Sequence, residues 1–202
     1  MNLDQLTCGD TMNLFSEFER IIILKHNLEM TKQIHGLCLD IGSGSNPLMA
    51  AHILCDRFPK RTEHRGGSPL LTYNKPFVQC DAHFLPFKDK AFDFVHCCHV
   101  LEHSEDPKKV YKELKRVGKS GYIETPTLLQ ENLLYSLPAH KWIISRKDKR
   151  LYYQKPRRKF SLPHTENIMQ RPRSWNFTYR ILNVFYRFLD ENFHIFRTRF
   201  YF

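Results

Sequence analysis

Apolar positions fall into two patterns along this chain. Over residues 11–32, Phe15, Phe18, Ile22 and the run through Leu24 recur at helical spacing, with Glu17, Glu19, Arg20 and Lys25 opposite. That spacing predicts an amphipathic helix. Further on, apolar-rich runs over 37–41, 51–55, 77–80, 92–98 and 121–124 predict five strands. Their continuity suits strands covered on both faces. Between the fourth and fifth runs, residues 107–117 predict a second helix. Pro107 opens it, Val110, Leu114 and Val117 line one face, and Lys108, Lys109, Lys112 and Lys115 line another. Strands alternating with helices or loops predict a parallel α/β sheet. The link between the first two strands is short and leaves room for a single turn after Pro47, a residue suited to a first helical position. Residues 57–75, with Gly66-Gly67 and Pro69, read as irregular loop. Toward the C-terminus, 141–145 and 150–154 predict a hairpin across Arg146-Lys147-Asp148-Lys149. Residues 155–173 predict loop, 177–189 a helix and 193–202 a last strand.

Composition alters this picture in one respect. With 42 % apolar and 26 % charged residues, the chain of 202 residues reads as one soluble α/β domain with appendages. The expected parts are an N-terminal helical segment over 1–33, a core over 34–140 and a C-terminal extension over 141–202. The net charge of +10 is unevenly placed, because residues 141–202 hold 15 Lys or Arg against 4 Asp or Glu. Those residues are also rich in Phe, Tyr and Trp. A basic, aromatic extension can attract phosphates or anionic surfaces, or simply surround an aromatic mini-core. No stretch reaches the length of a membrane span, and residues 1–4 lack the basic start of a signal peptide. Of the six cysteines, Cys8, Cys38, Cys55, Cys80, Cys97 and Cys98, none forms C-x-x-C. This argues against zinc or a disulfide framework and for a reducing cytoplasm.

Candidate chemistry gathers where the predicted strands end. Leu37-Cys38-Leu39-Asp40-Ile41-Gly42-Ser43-Gly44 is a strand running into a glycine loop. Gly42 and Gly44 can take positive φ and let the backbone approach a ligand. Ligands in open α/β sheets bind at the carboxyl ends of the strands. Three predicted strands end in acids there: Asp40, Asp56 and Asp81. A carboxylate after the second strand can accept two hydrogen bonds from a vicinal diol, such as a ribose.

These residues carry a resemblance. The chain resembles the class I S-adenosylmethionine-dependent methyltransferases of the type 11 group. The matching segments are Leu39-Asp40-Ile41-Gly42-Ser43-Gly44; Cys80-Asp81-Ala82-His83-Phe84-Leu85-Pro86-Phe87-Lys88-Asp89 through Phe92-Asp93; His99-Val100-Leu101-Glu102-His103; Asp106-Pro107; and Leu114-Lys115-Arg116-Val117. The resemblance implies a Rossmann-like, mostly parallel sheet flanked by helices, with S-adenosyl-L-methionine as cofactor. It implies that Gly42 and Gly44 pass under the methionine part while Asp40 orients that loop. Asp56 would hold the ribose hydroxyls, Asp81 and the Ala82 backbone would read adenine, and His99 would flank the cofactor through its backbone. Phe84, Leu85 and Phe87 would pack near adenine. The chain departs from the family pattern at Asn46, where a third glycine is common.

Methyl transfer rests largely on positioning, with a general base where the acceptor is a hydroxyl or a protonated amine. The candidate bases are His99, Glu102, His103 and His140. His103 is the expected catalytic residue, because it matches the family's L-E-H histidine. Some relatives carry E-x-x-E-H here and bind a divalent metal. His99, Glu102 and His103 could share one on a helical face, but the first acid is missing and no metal ligand is assigned. The expected acceptor is a small molecule. The alternatives are an RNA methyltransferase, or a non-catalytic cofactor-binding module whose basic extension holds nucleic acid or an anionic surface. An amine-methylating N-P-P-[FYW] signature is absent, since His99-Val100-Leu101-Glu102 stands in its place.

Overall fold

The computed structural model describes residues 24–60, 68–129, 140–156 and 197–202. Strand β1 (Cys38–Ile41) pairs in parallel with β2 (Ile53–Asp56) on one side and β4 (Phe92–Cys98) on the other. Next to β2 lies β3 (Phe77–Gln79), and next to β4 lies β5 (Gly118–Pro126), both parallel. A final strand, β8 (Arg197–Tyr201), runs antiparallel along β5. The sheet order is β3-β2-β1-β4-β5-β8, so the chain reverses its direction of growth between β1 and β4. Parallel strands deliver their carboxyl ends to one edge, and the reversal opens a crevice there.

Side chains alternate between the two faces of this sheet. Leu39, Ile41, Cys55, Val95, Cys97 and Ile123 enter one core under helix α2 (Pro107–Val117). Cys38, Leu54, Phe94 and Tyr122 enter the other, where Met30 of helix α1 (residues 24–33) joins them. The lysine-rich α2 forms as its sequence predicts. Asp106 caps it by accepting from the Lys108 and Lys109 amides at 3.1 and 3.0 Å, and Pro107 needs no partner. Val110, Leu114 and Val117 are all fully buried. Helix α1 differs from its prediction. Leu24 is 58 % exposed, and the inward residues are Asn27 and Met30. The Asn27 side chain fixes the helix by accepting from the Met49 amide at 2.6 Å. The positions predicted over 11–23 lie outside the described residues, as does the helix predicted over 177–189.

Two further expectations are corrected and one is met: a single turn follows Pro47, as the short link predicts. The Ala51 amide closes it on the Leu48 carbonyl at 3.1 Å, and the His52 amide is already committed to Cys38 of β1. The hairpin predicted near 141–154 is β6 (Ile143–Lys147) with β7 (Arg150–Gln154), turning on two residues rather than four. Asp148 takes the positive φ that a two-residue turn needs. Finally, Cys55 and Cys80 form a disulfide. They are 25 residues apart, but β2 pairs with β3 so that Cys55 faces Val78, and Cys80 follows just beyond. Strand register brings them together, and no sequence spacing announces it. Among the described residues, no helix is long and apolar enough to cross a membrane.

The C-terminal strand is held by charge as well as by its ladder. Glu124 of β5 is 2 % exposed, and it accepts from Arg197 Nη1 and Arg199 Nε, each at 3.2 Å. Tyr122 Oη donates at 2.5 Å to Oε2, the oxygen that Arg199 meets, and His99 Nε2 stands 3.5 Å from Oε1. Burial works against this carboxylate, but His99, Arg197 and His26 outweigh it and hold its pKa well below the usual range. Removing the negative charge takes from two arginines the carboxylate they meet in a low-dielectric site. Glu124→Gln is therefore expected to cost about 3 kcal/mol in urea unfolding, and a loss near zero would show that the cluster is not a clamp.

His26 on α1 faces the same cluster, with its ring 5.4 Å from His96 and 5.9 Å from Tyr122. Burial lowers its pKa from 6.5 to about 4; His96, Arg197 and Arg199 add to this, and Glu124 opposes it. The unfolded chain therefore takes up this proton at a higher pH than the native one. The native state keeps its full stability above pH 6.5 and loses up to about 3 kcal/mol as pH falls toward 4. Urea midpoints of wild type and His26→Leu should diverge over that window, with the wild type losing more. Parallel pH profiles would refute the assignment.

Candidate functional site

The glycine loop after β1 is held from beneath and from the side. Gly42 and Gly44 adopt φ of +71° and +50°. A Cβ on Gly42 would meet Val100 Cγ2 at 2.2 Å, so the loop can lie against the segment after β4 only with glycine there. The Gly42 and Ser43 amides donate to the Cys55 carbonyl at 2.8 and 3.1 Å. Asp40, 2 % exposed, ties the loop's exit, accepting from the Leu48 amide at 2.8 Å and from His96 Nδ1 at 2.7 Å. Asp56 ties its tip. One of its oxygens accepts from the Gly44 amide at 3.1 Å and the other from the Phe58 amide at 2.8 Å. The Ser43 hydroxyl is buried at the centre of the loop with no hydrogen-bond partner.

Beyond β3, Asp81 lies beside this loop. The Cys80 amide donates to the Asp56 carbonyl at 3.1 Å, which joins the two strand ends. Asp81 Oδ1 accepts from the His83 amide at 2.9 Å and its imidazole at 2.5 Å, and Arg57 Nη1 stands 3.5 Å from Oδ2. Burial opposes ionisation of Asp81, but the His83 bonds and the Arg57 charge outweigh it and hold its pKa low. Ala82 follows in the same half-buried turn. The segment from Leu85 to Asp89 is clamped by α2. Glu113 accepts from the Leu85 amide at 2.9 Å, and Arg116 donates to the Leu85 and Phe87 carbonyls at 2.9 and 2.7 Å and to Asp89 at 2.9 Å. Leu85 is buried, and Phe87 packs edge-on against Phe92 at 4.9 Å. Phe84 is exposed, with Lys109 Nζ 3.3 Å over its ring.

The end of β4 supplies the remaining groups. His99 takes φ of +55°, and its amide donates to the Glu124 carbonyl at 2.9 Å. Its ring lies between two buried carboxylates, 3.2 Å from Glu102 and 3.5 Å from Glu124. Desolvation disfavours the imidazolium, but the bonds to Glu102 and Glu124 outweigh it and push the His99 pKa up to about 10. An imidazole that stays protonated at neutral pH is no general base. Leu101–His103 form a single 3-10 turn, and the His103 ring meets that of His140 edge-on at 4.5 Å.

The structure thus brings Asp40, Gly42, Gly44 and Asp56 into one bonded unit and sets Asp81, Ala82 and His99 around it, with His103 further along the same edge. Sequence reading missed His96, Arg57 and Glu124. His96 and Glu124 stand inside strands, where period-2 patterning reads them only as positions on a buried face. A polar residue in an apolar run was the available signal, since burial of such a group demands a partner.

Residues 39–123 match the family profile described as "Methyltransferase domain". A 37-residue stretch is 57 % identical to the uncharacterized protein MJ1123 of Methanocaldococcus jannaschii, covering 18 % of each chain. Among solved structures, PH0226 of Pyrococcus horikoshii is 19 % identical, with a TM-score of 0.45 over 75 % of this chain and 79 % of that one. YcgJ of Bacillus subtilis is 24 % identical, with a TM-score of 0.44 over 57 % and 61 %. A SAM-dependent methyltransferase of Thermotoga maritima is 22 % identical, with a TM-score of 0.40 over 58 % and 60 %. Over residues 39–123, this chain matches a methyltransferase domain.

Proposed function

We propose that this protein transfers the methyl group of S-adenosylmethionine to a small-molecule acceptor. The observation that carries the reading is the Asp56 tie. A carboxylate at the end of β2 binds the tip of the β1 glycine loop, so loop and acid face a ligand as one surface. The donor set suits a ligand with an amine, a ribose diol and an adenine. The unpartnered Ser43 hydroxyl is a polar atom at the loop's centre that such a ligand would satisfy.

On this reading the Gly42–Gly44 loop lies under the methionine portion, and Asp40 acts on the loop, since its two oxygens already serve Leu48 and His96. Asp56 addresses the ribose hydroxyls as an acceptor. Asp81 Oδ2 and the Ala82 amide address adenine, and His99 flanks the cofactor with its backbone. When bound, the cofactor supplies an activated methyl on a sulfonium. The protein's share is then to hold the acceptor atom in line and to accept its proton. His103, half-buried beside His140, is positioned to take that proton.

A small-molecule acceptor is favoured over nucleic acid by the use made of the C-terminal charges. Arg197 and Arg199 are spent inside the fold on Glu124. Calorimetry of the full chain with S-adenosylhomocysteine should show binding, and Asp56→Asn, which leaves one of the Gly44 and Phe58 amides facing a donor, should weaken it at least tenfold, about 1.4 kcal/mol, and lower the melting temperature. No binding, or equal binding by the variant, would sink the cofactor assignment. Retention on RNA at physiological salt would shift the acceptor to nucleic acid.

A further inference from the structure

We propose that Glu102, His103 and His140 form a binding site for one divalent first-row transition-metal ion. The three residues come from two segments fastened together by backbone. Glu102 and His103 lie in the turn after β4, and His140 leads into β6. The amides of Lys141 and Trp142, which follow His140, both donate to the Glu102 carbonyl, at 2.7 and 3.2 Å. The Trp142 indole donates to the Ser104 carbonyl at 3.0 Å, and Lys141 pairs with Glu105. His140 is thereby held against the turn. The candidate ligand atoms of the three side chains all lie within 4.8 Å of one another.

The second observation is the state of Glu102. It is 1 % exposed, and one carboxylate oxygen receives the His99 imidazole at 3.2 Å. The other, Oε2, is buried with no hydrogen-bond partner. A carboxylate oxygen removed from water and left unmet is costly, and a cation is the partner that removes the cost. His99 does not compete for the ion. Its ring is committed to Glu102 and Glu124, and there it orients the ligand carboxylate from behind, as outer partners of metal sites do. The ligand set therefore differs from the His99, Glu102 and His103 grouping that helical spacing suggests.

The donor set points to the class of ion. Two imidazole nitrogens and one carboxylate suit Zn2+, Co2+ or a similar ion, whereas Mg2+ and Ca2+ prefer all-oxygen shells. Around a tetrahedral ion, ligand atoms stand about 3.3 Å apart, so binding needs only small side-chain rotations from the observed spread. Three protein ligands leave a position open. Among the described residues, one other group of potential ligands, His26, His96 and Cys98, converges on a single nitrogen. His96 Nε2 is contacted by His26 at 3.2 Å and by Cys98 at 3.1 Å, and His96 Nδ1 serves Asp40.

This inference does not rest on methyl transfer. It does bear on His103, whose lone pair would hold the ion rather than a proton when the site is loaded. An acceptor hydroxyl at the open position would then lose its proton more readily through the ion itself.

The test is direct binding by the full chain, stripped with chelator and without cofactor. Zn2+ titrated by calorimetry, and Co2+ followed by visible absorption, should each show one equivalent bound. Zn2+ should also raise the melting temperature. His140→Ala and His103→Gln should each weaken Zn2+ binding at least tenfold and remove the thermal shift, while exposed His35→Ala should change neither. Two independent ligand variants keep the test valid if one fails to fold. Absence of Zn2+ and Co2+ binding, or one equivalent bound with unchanged affinity in both ligand variants, would overturn the site.

Discussion

The Asp56 carboxylate is the tie on which the carboxyl edge of the sheet depends. A glycine loop has too little side chain to hold its own shape, and its backbone amides need acceptors. Asp56 gives one to Gly44 and another to Phe58, and the Cys55 carbonyl beside it serves Gly42 and Ser43. Four amides from two loops are thus satisfied by two adjacent residues at the end of β2. The Cys80 amide on the Asp56 carbonyl and the Cys55–Cys80 disulfide add β3 to the same unit. The glycine loop and Asp81 are thus both positioned through that strand end.

The opposite side of the edge is organised by buried charge. Glu124 and Glu102 are both almost fully buried, and His99 lies between them. In a low-dielectric setting each negative charge needs positive partners close by. Glu124 has Arg197 and Arg199, which bind β8 to β5. Glu102 has His99 on one oxygen and is flanked by His103 and His140, which also favour its ionised form. The C-terminal strand and the turn that carries Glu102 are therefore coupled through one histidine.

This arrangement gives part of the basic C-terminal extension an internal use. Its described cations are not all used alike: Lys141 pairs with Glu105, Arg146 donates to the Arg199 carbonyl and Lys155 lies over the Trp142 ring. Arg197 and Arg199 neutralise Glu124, whereas Lys147, Lys149 and Arg150 stand exposed around the β6–β7 turn. Ile144 and Phe200, from the same extension, enter the core that α2 covers. The aromatic content of those segments therefore contributes to packing, as Tyr111 against Phe200 and Phe202 illustrates.

Local pattern determined much of this. Helix α2 and strand β4 are read off to the residue, because Asp106-Pro107 is a cap and the apolar periods are unbroken. Gly42 and Gly44 announce their positive φ, and the strand-terminal acids announce the edge on which a ligand would lie. What sequence could not show are the partnerships that depend on register across the sheet: Cys55 with Cys80, Asp40 with His96, Glu124 with Arg197 and Arg199, and Glu102 with His140. These join residues from 25 to 75 positions apart. Periodicity reports which face a residue takes, whereas a buried polar group's partner is set by which strands become neighbours, and only the tertiary structure decides that.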